Sequence, residues 1–155
     1  MSKEAENDYG QSYSKSYGLT ADVLDKMEKN FSLELMNQIF DFMESKVEKE
    51  KLYEGQAGRP TDINSFGNLL LDGIVLLRFI NALLKEKGHP TADIVELPRT
   101  KINAFRLVEN TTTFQNMSQK YFKMSSSDCC QYDDFSRNKK GVLDHLLLLK
   151  KRCEN

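Results

Sequence analysis

LLLDGIVLLRFINALL, residues 69–84, is the stretch whose reading decides the fold, because only Asp72, Arg78 and Asn81 clearly interrupt its apolar run. Three readings compete: a membrane anchor, a pair of strands reversing at Asp72-Gly73, or the central helix of a water-soluble core. A membrane span needs about 20 apolar residues and tolerates mid-span Asp and Arg poorly. This run is shorter and carries both. A hairpin requires apolar and polar residues to alternate on either side of the turn, and neither GNLLL nor IVLLRF alternates. On a helical wheel at about 100° per residue, Leu69, Val75, Leu76, Phe79, Ile80, Leu83 and Leu84 fill a wide arc, with Arg78 and Asn81 on a narrow opposite side. The expectation is one helix mostly surrounded by protein, with Gly73 in its middle. Glycine there costs about 1 kcal/mol relative to Ala and signals a closely packed neighbour. Asp72 is expected to make a structural hydrogen bond, since no second carboxylate stands at a defined spacing for acid–base work.

Helical signals extend outward from this stretch. Thr20 is a good N-cap, with Asp22 in the first turn and Val23, Leu24 and Met27 at helical spacing, which predicts a short helix. After Ser32, the residues Leu35, Ile39, Phe42 and Met43 recur at steps of three and four and predict a longer helix with one apolar stripe. YEGQAGRPTDINSFGN brings three glycines and a proline, and is expected to be a loop between packed helices. KEKGHPTADIVELPRTKIN, with a glycine and two prolines, is expected to be irregular and wrapped over the core. Phe105, Val108 and Phe114 begin a further helix, weakened by Thr111, Thr112 and Thr113, whose branched side chains lose rotamer freedom in helices. From Gly141 to Cys153, Val142, Leu143, Leu146, Leu149 and Cys153 share one face of a last helix. No strand alternation and no internal repeat is visible. The fold class is therefore all-α: a single domain of four main helices plus short ones around a buried central helix.

With 155 residues there is one core to seek. The first 15 residues are polar and poor in branched apolar side chains, and are expected to form a flexible tail. Tyr9, Tyr13 and Tyr17 recur every four residues from that tail onward, which would suit a phosphorylation or docking pattern, but chance in a Ser/Tyr-rich segment is the plainer account. Formal net charge is -1, so no broad field draws the protein to nucleic acid or an anionic membrane. The halves differ: residues 1–60 hold 8 basic and 12 acidic side chains, and residues 61–155 hold 14 and 11. Much of the later excess is Arg137, Lys139, Lys140, Lys150, Lys151 and Arg152, opposed only by Asp144. These six are the candidate partner-binding residues. The plainer account is that they solvate the last helix and complement its C-terminal dipole.

The three cysteines are odd in number, and Cys129 and Cys130 are adjacent and hard to bridge, which fits a reduced cytosolic setting. The opening MSKEAENDYGQSYSKS has no apolar segment for secretion, and no Gly follows Met1 for myristoylation, so the expected location is inside the cell without an anchor. Cys129, Cys130, His145 and Cys153 are four nominal zinc ligands at no usual spacing, and free thiols are expected. His89 and His145 lack a nucleophile motif and are expected to serve at the surface or as caps. GNLLLDG lacks the Gly-Lys-Ser/Thr ending of a phosphate loop. No cofactor, metal or enzymatic activity is expected.

Four stretches, SYGLTADVLDKMEKNF (16–31), GRP (58–60), LLLDGIVLLRFINAL (69–83) and FRLVENTTTF (105–114), resemble in order and spacing the calponin-homology domain of calponins and transgelins. YDDF, before the last helix, is similar to the family's Asp-Leu-Phe stretch. The resemblance covers residues 16–152, leaving 1–15 as the tail and 153–155 as the C-terminal end. It implies an all-helical fold in which Gly73 of the central helix allows close helix approach. Phe42 stands where relatives usually have a core tryptophan, and Thr111–Thr113 replace more apolar or smaller residues, which marks a diverged member. For function it implies a non-enzymatic, cytoplasmic protein of the cytoskeleton that binds F-actin or actin-associated proteins. The glycine-rich repeats credited with much of the actin affinity of calponins have no counterpart within residues 1–155, so weak or partner-assisted binding is expected. The alternatives are a signalling scaffold for kinases or adaptors, and a module that binds tubulin in microtubules.

Overall fold

A computed structural model of the chain describes residues 30–96 and 104–154. The expected tail and the helix after Thr20 lie outside the described residues, as does the Phe105 side chain. Within them the protein is all-α, with α1 at Leu33–Lys46, α2 at Lys49–Leu52, α3 at Ile63–Leu70, α4 at Ile74–Glu86, α5 at Ala104–Phe122, α6 at Asp134–Arg137 and α7 at Lys139–Glu154. A 3₁₀ turn at Ser126–Asp128 separates α5 from α6. The four long helices are α1, α4, α5 and α7, as expected.

α1 starts where the Ser32 hydroxyl accepts the Leu35 amide at 3.1 Å, removing one of the unpaired donors at a helix start. Its buried face is Met36, Ile39, Phe40 and Met43. The expected stripe included Leu35 and Phe42, but Leu35 remains 39% exposed and Phe42 lies at the margin. Apolar residues occur on several sides of this helix, and its packing against α4 and α7 selects the arc that is covered.

The stretch expected to be wholly a loop contains α3. Asp62 Oδ1 accepts the Ser65 amide at 2.7 Å and Ser65 Oγ accepts the Asp62 amide at 3.0 Å, a reciprocal capping box that launches the helix at Ile63 despite the nearby glycines. Gly67 is needed there for another reason: a Cβ would lie 2.5 Å from the Phe135 carbonyl oxygen of α6. Ahead of α3, Arg59 fastens the loop to α1. Its guanidinium reaches Asp41 at 2.8 Å, Glu44 at 3.2 Å and the Asn37 carbonyl at 2.8 Å. Tyr53 donates to the other Glu44 oxygen at 2.6 Å. Burial and then this carboxylate hold the Tyr53 hydroxyl far above the ordinary tyrosine range.

Residues 69–84 are not one helix. α3 stops at Leu70, α4 starts at Ile74, and their axes meet at 72°. Gly73 is the N-cap of α4 with φ of 74°, a left-handed conformation that L side chains rarely adopt. Asp72 Oδ1 accepts the Ile74 amide at 3.0 Å and so closes the turn, the structural role expected of it. Close approach at Gly73 is also as expected, since a Cβ there would meet Asn110 Cβ at 2.5 Å. Helical periodicity continues through the break because both helices bury their apolar sides. No single helix among the described residues is long and apolar enough to cross a membrane.

α4 is the centre. It packs against α1, α2, α3 and α5, and Ile74, Val75, Leu76, Leu77, Phe79, Ile80, Leu83 and Leu84 are all buried. Its two polar exceptions bind backbone. Arg78 donates to the carbonyls of Leu52 at 3.2 Å and Glu54 at 2.7 Å, covering the end of α2. The Asn81 carboxamide pairs with both the N–H and the carbonyl of Ala92, at 2.8 and 2.9 Å. Three residues on, fully buried Asn110 of α5 does the same for Val95, at 2.9 Å in each direction, and its Nδ2 also donates to the Asp72 carbonyl at 2.9 Å. The irregular segment after α4 is thus held by two asparagines, whose planar amides match an extended peptide's donor and acceptor.

Gly73→Ala is expected to destabilise the protein by roughly 2–4 kcal/mol, combining a left-handed residue with overlap on Asn110. Gly88→Ala has a similar φ of 78° but open space around its Cβ, and should cost only about 1 kcal/mol. Urea unfolding of the two variants measures the difference, and equal losses would show that close packing at Gly73 carries no weight.

Candidate partner-binding surface

Of the six candidate residues, Arg137 ends α6 and the other five lie on α7. The helix does not bring them together. At 1.5 Å per residue, Lys139 and Lys150 are separated by about 16 Å along the axis, so the set divides into two groups at opposite ends. At the first end, Lys139 Nζ donates to the Ser136 carbonyl at 3.3 Å and Lys140 pairs with Asp144 at 2.9 Å, while Arg137 is exposed. Cations at a helix N-terminus oppose its dipole, so dipole compensation does not account for this group.

The C-terminal group is enlarged by residues distant in sequence. Lys150 Nζ lies 5.6 Å from the centre of the Phe42 ring, and Lys46 Nζ of α1 lies 5.4 Å from that same ring. Phe42 in turn packs edge-on against Phe79 of α4, with centroids 5.9 Å apart. A ring that attracts cations to its face thus holds two ammonium groups at the rim of the core. Lys46 also bridges to Glu86 at 3.1 Å. Arg152 donates to the carbonyl of Lys123, just beyond α5, and Lys151 is exposed. The last turn of α7 is thus flanked by Lys46 and Lys150 at the Phe42 ring and by Arg152 at the Lys123 backbone, with Lys151 exposed; these five residues are termed the basic pole. Sequence reading missed Lys46 and Lys123 because only tertiary packing places them beside α7.

His145, on the inner face of α7, corrects the expectation of a surface or capping role, because it is fully buried. Its ring stacks on Phe114 with centroids 4.6 Å apart. Nδ1 accepts the Cys130 amide at 3.0 Å, so the proton of the neutral ring resides on Nε2, which donates to Ser118 Oγ at 2.9 Å. The Ser118 hydroxyl in turn donates to the Phe114 carbonyl at 2.9 Å. This serine–histidine pair is not a nucleophile and its base, since Nε2 is already protonated and has no lone pair to offer. The pair ties α5, the segment after the 3₁₀ turn and α7 into one unit. His89 is half-buried and stacks on Tyr121 at 4.6 Å, while its amide bonds the Leu84 carbonyl at 2.8 Å beyond the end of α4. The cysteines are unbridged. Burial pushes the Cys129 thiol up to about 11 and the Cys130 thiol up to about 12, which keeps both protonated and unreactive at neutral pH. Among the described residues no three His, Cys, Asp or Glu side chains are placed to hold a metal ion.

Burial lowers the His145 pKa to about 4. The unfolded chain gains a proton near pH 6.5 that folded His145 excludes, so this contribution is intact above pH 6.5 and lost as pH falls toward 4. The wild-type protein should lose on the order of 3 kcal/mol through this group across that window. His145→Gln, less stable at neutral pH, should decline less steeply in urea titrations at the two ends of the window. Parallel declines would show that His145 titrates alike folded and unfolded.

Comparison with known proteins agrees with the helical architecture. No solved structure matches the chain. The family model described as the calponin homology (CH) domain matches residues 49–155, which contain the central helix, both clamping asparagines and the whole basic pole except Lys46. α1, which supplies Lys46 and Phe42, precedes the matched segment yet packs on α4 and α7. A match over most of the length, carried by a bundle wound around a buried central helix, means that the chain belongs to the calponin homology (CH) domain family.

Proposed function

We propose that this protein is a non-enzymatic component of the cytoplasmic actin cytoskeleton that binds filaments weakly, or with the help of a partner, through the basic pole at the C-terminal end of α7. CH domains are commonly actin-binding or cytoskeletal and signalling modules, and they form a family of non-enzymatic binding domains. The observation that carries the reading is that the last turn of α7 sets Lys150 with Lys46 at one aromatic ring and Arg152 at the Lys123 carbonyl, with Lys151 exposed. F-actin is an acidic polymer, and clustered cations steer and retain such partners in a salt-dependent way. The group at the other end of α7 is a weaker candidate, because Lys140 is paired with Asp144 and Lys139 with a carbonyl.

Co-sedimentation with F-actin at low and moderate salt tests the proposal. Wild-type protein should pellet at low salt and less at moderate salt. Combined Lys150→Gln, Lys151→Gln and Arg152→Gln should reduce the pelleted fraction by roughly tenfold, whereas Lys139→Gln with Lys140→Gln should change it less than about twofold. Folded protein that stays in the supernatant at both salts would rule out direct binding. Pelleting with microtubules instead would transfer the pole to the tubulin reading, and selective retention of a soluble kinase or adaptor would favour the scaffold reading.

A further inference from the structure

We infer that the turn at residues 125–127 is a phosphorylation site, with Ser126 as the acceptor, and that a phosphate there weakens the basic pole on its Arg152 side. Three observations meet at this turn. First, α5 ends at Phe122, and Lys123 adopts φ of 56°, a left-handed conformation uncommon for a residue with a side chain. This reversal buries Met124 and leaves Ser125, Ser126 and Ser127 exposed at the start of the 3₁₀ turn, on the surface. Second, the three hydroxyls are not equivalent. Ser125 Oγ and Ser127 Oγ are bonded to each other at 2.9 Å, and the Ser125 amide is taken by Asp128 Oδ2 at 2.9 Å. Ser126 is exposed, and among the described residues its hydroxyl has no hydrogen-bond partner, so modifying it breaks no existing contact.

Third, the turn abuts the pole. Arg152 donates to the carbonyl of Lys123, three residues before Ser126, which places the two within about 10 Å of chain. Asp128, the last residue of the turn, has its carboxyl pKa lowered by the Ser125 amide and also by the charge of Arg152. Glu86 already pairs with Lys46, and Asp128 lies near enough to Arg152 for that charge to lower its pKa. A phosphoserine adds roughly -1.5 to -2 at neutral pH, enough to offset the charge of Arg152. It also offers Arg152 and Lys123 strong acceptors that compete with an acidic partner.

The step is an ordinary phosphoryl transfer by a serine kinase using a nucleoside triphosphate. Ser126 Oγ bonds the γ-phosphorus, the bond from that phosphorus to the nucleoside diphosphate breaks, and the hydroxyl proton passes to the kinase's base. The consequence for binding rests on the proposed filament contact, whereas the modification itself does not.

Two measurements test this on the full chain. The protein expressed in eukaryotic cells with serine phosphatases inhibited, then mapped by tandem mass spectrometry, should carry phosphate on Ser126, and Ser126→Ala should remove it. Absence of phosphate on Ser126 overturns the site. Protein with phosphoserine encoded at position 126 should pellet with F-actin roughly fivefold less than unmodified protein at low salt, and the drop should shrink in an Arg152→Gln background. An unchanged pelleted fraction, with wild-type protein pelleting normally, overturns the switch. If wild-type protein does not pellet, the filament reading falls, and mass spectrometry alone decides the site.

Discussion

The Asn110 carboxamide is the interaction on which the rest of the structure depends. It is fully buried, and its three hydrogen bonds join α5 to two further places, the Val95 peptide and the Asp72 carbonyl. A buried amide is costly unless its donors and acceptor are paired, and this one pairs all but one of its bonding positions with backbone that would itself be left unsatisfied. The same residue sets the approach distance at Gly73, where a Cβ would overlap Asn110 Cβ at 2.5 Å. The bend between α3 and α4, the placement of α5 and the path of the connecting segment are therefore one constraint. Asn81, pairing with Ala92, repeats the device on α4 itself.

This constraint explains how the helical core sets the position of charges at its edge. With α4 fixed, Phe79 supports Phe42 from within, and Phe42 presents its ring to Lys46 and Lys150. His145 performs the corresponding task on the other side of α7, linking Ser118 of α5 to the Cys130 amide. Phe42 converts a buried contact into a defined position for two exposed charges, and His145 fixes the inner face of α7 against α5.

The candidate surface was half legible from the residues alone. Arg137, Lys139, Lys140, Lys150, Lys151 and Arg152 are close in sequence, but a helix separates residues eleven apart by about three turns, so composition overstates their unity. Lys46 and Lys123 could not be assigned to the pole from sequence, because nothing local distinguishes them from other solvated lysines. His145 was misjudged for a related reason: a lone histidine carries no signal of its partners, and both of its bonds are to residues outside its own helix.

By itself the sequence determined what is local. Period, capping residues and breakers established an all-α chain, its four long helices and the irregular segment after Glu86, because helix formation follows from neighbours within a turn or two. The capping box at Asp62 and Ser65 was equally local and was masked only by nearby glycines. Tertiary structure decided what depends on distant partners. It turned residues 69–84 into two helices meeting at 72°, since Asn110 and the left-handed Gly73 close a corner that periodicity passes through unmarked. It chose Met36 and Phe40 over Leu35 for the core, buried His145, and set Lys46 with Lys150 at Phe42 and Arg152 at the Lys123 carbonyl. Burial and charge proximity are properties of residues brought together across the chain, and no periodicity within one helix encodes them.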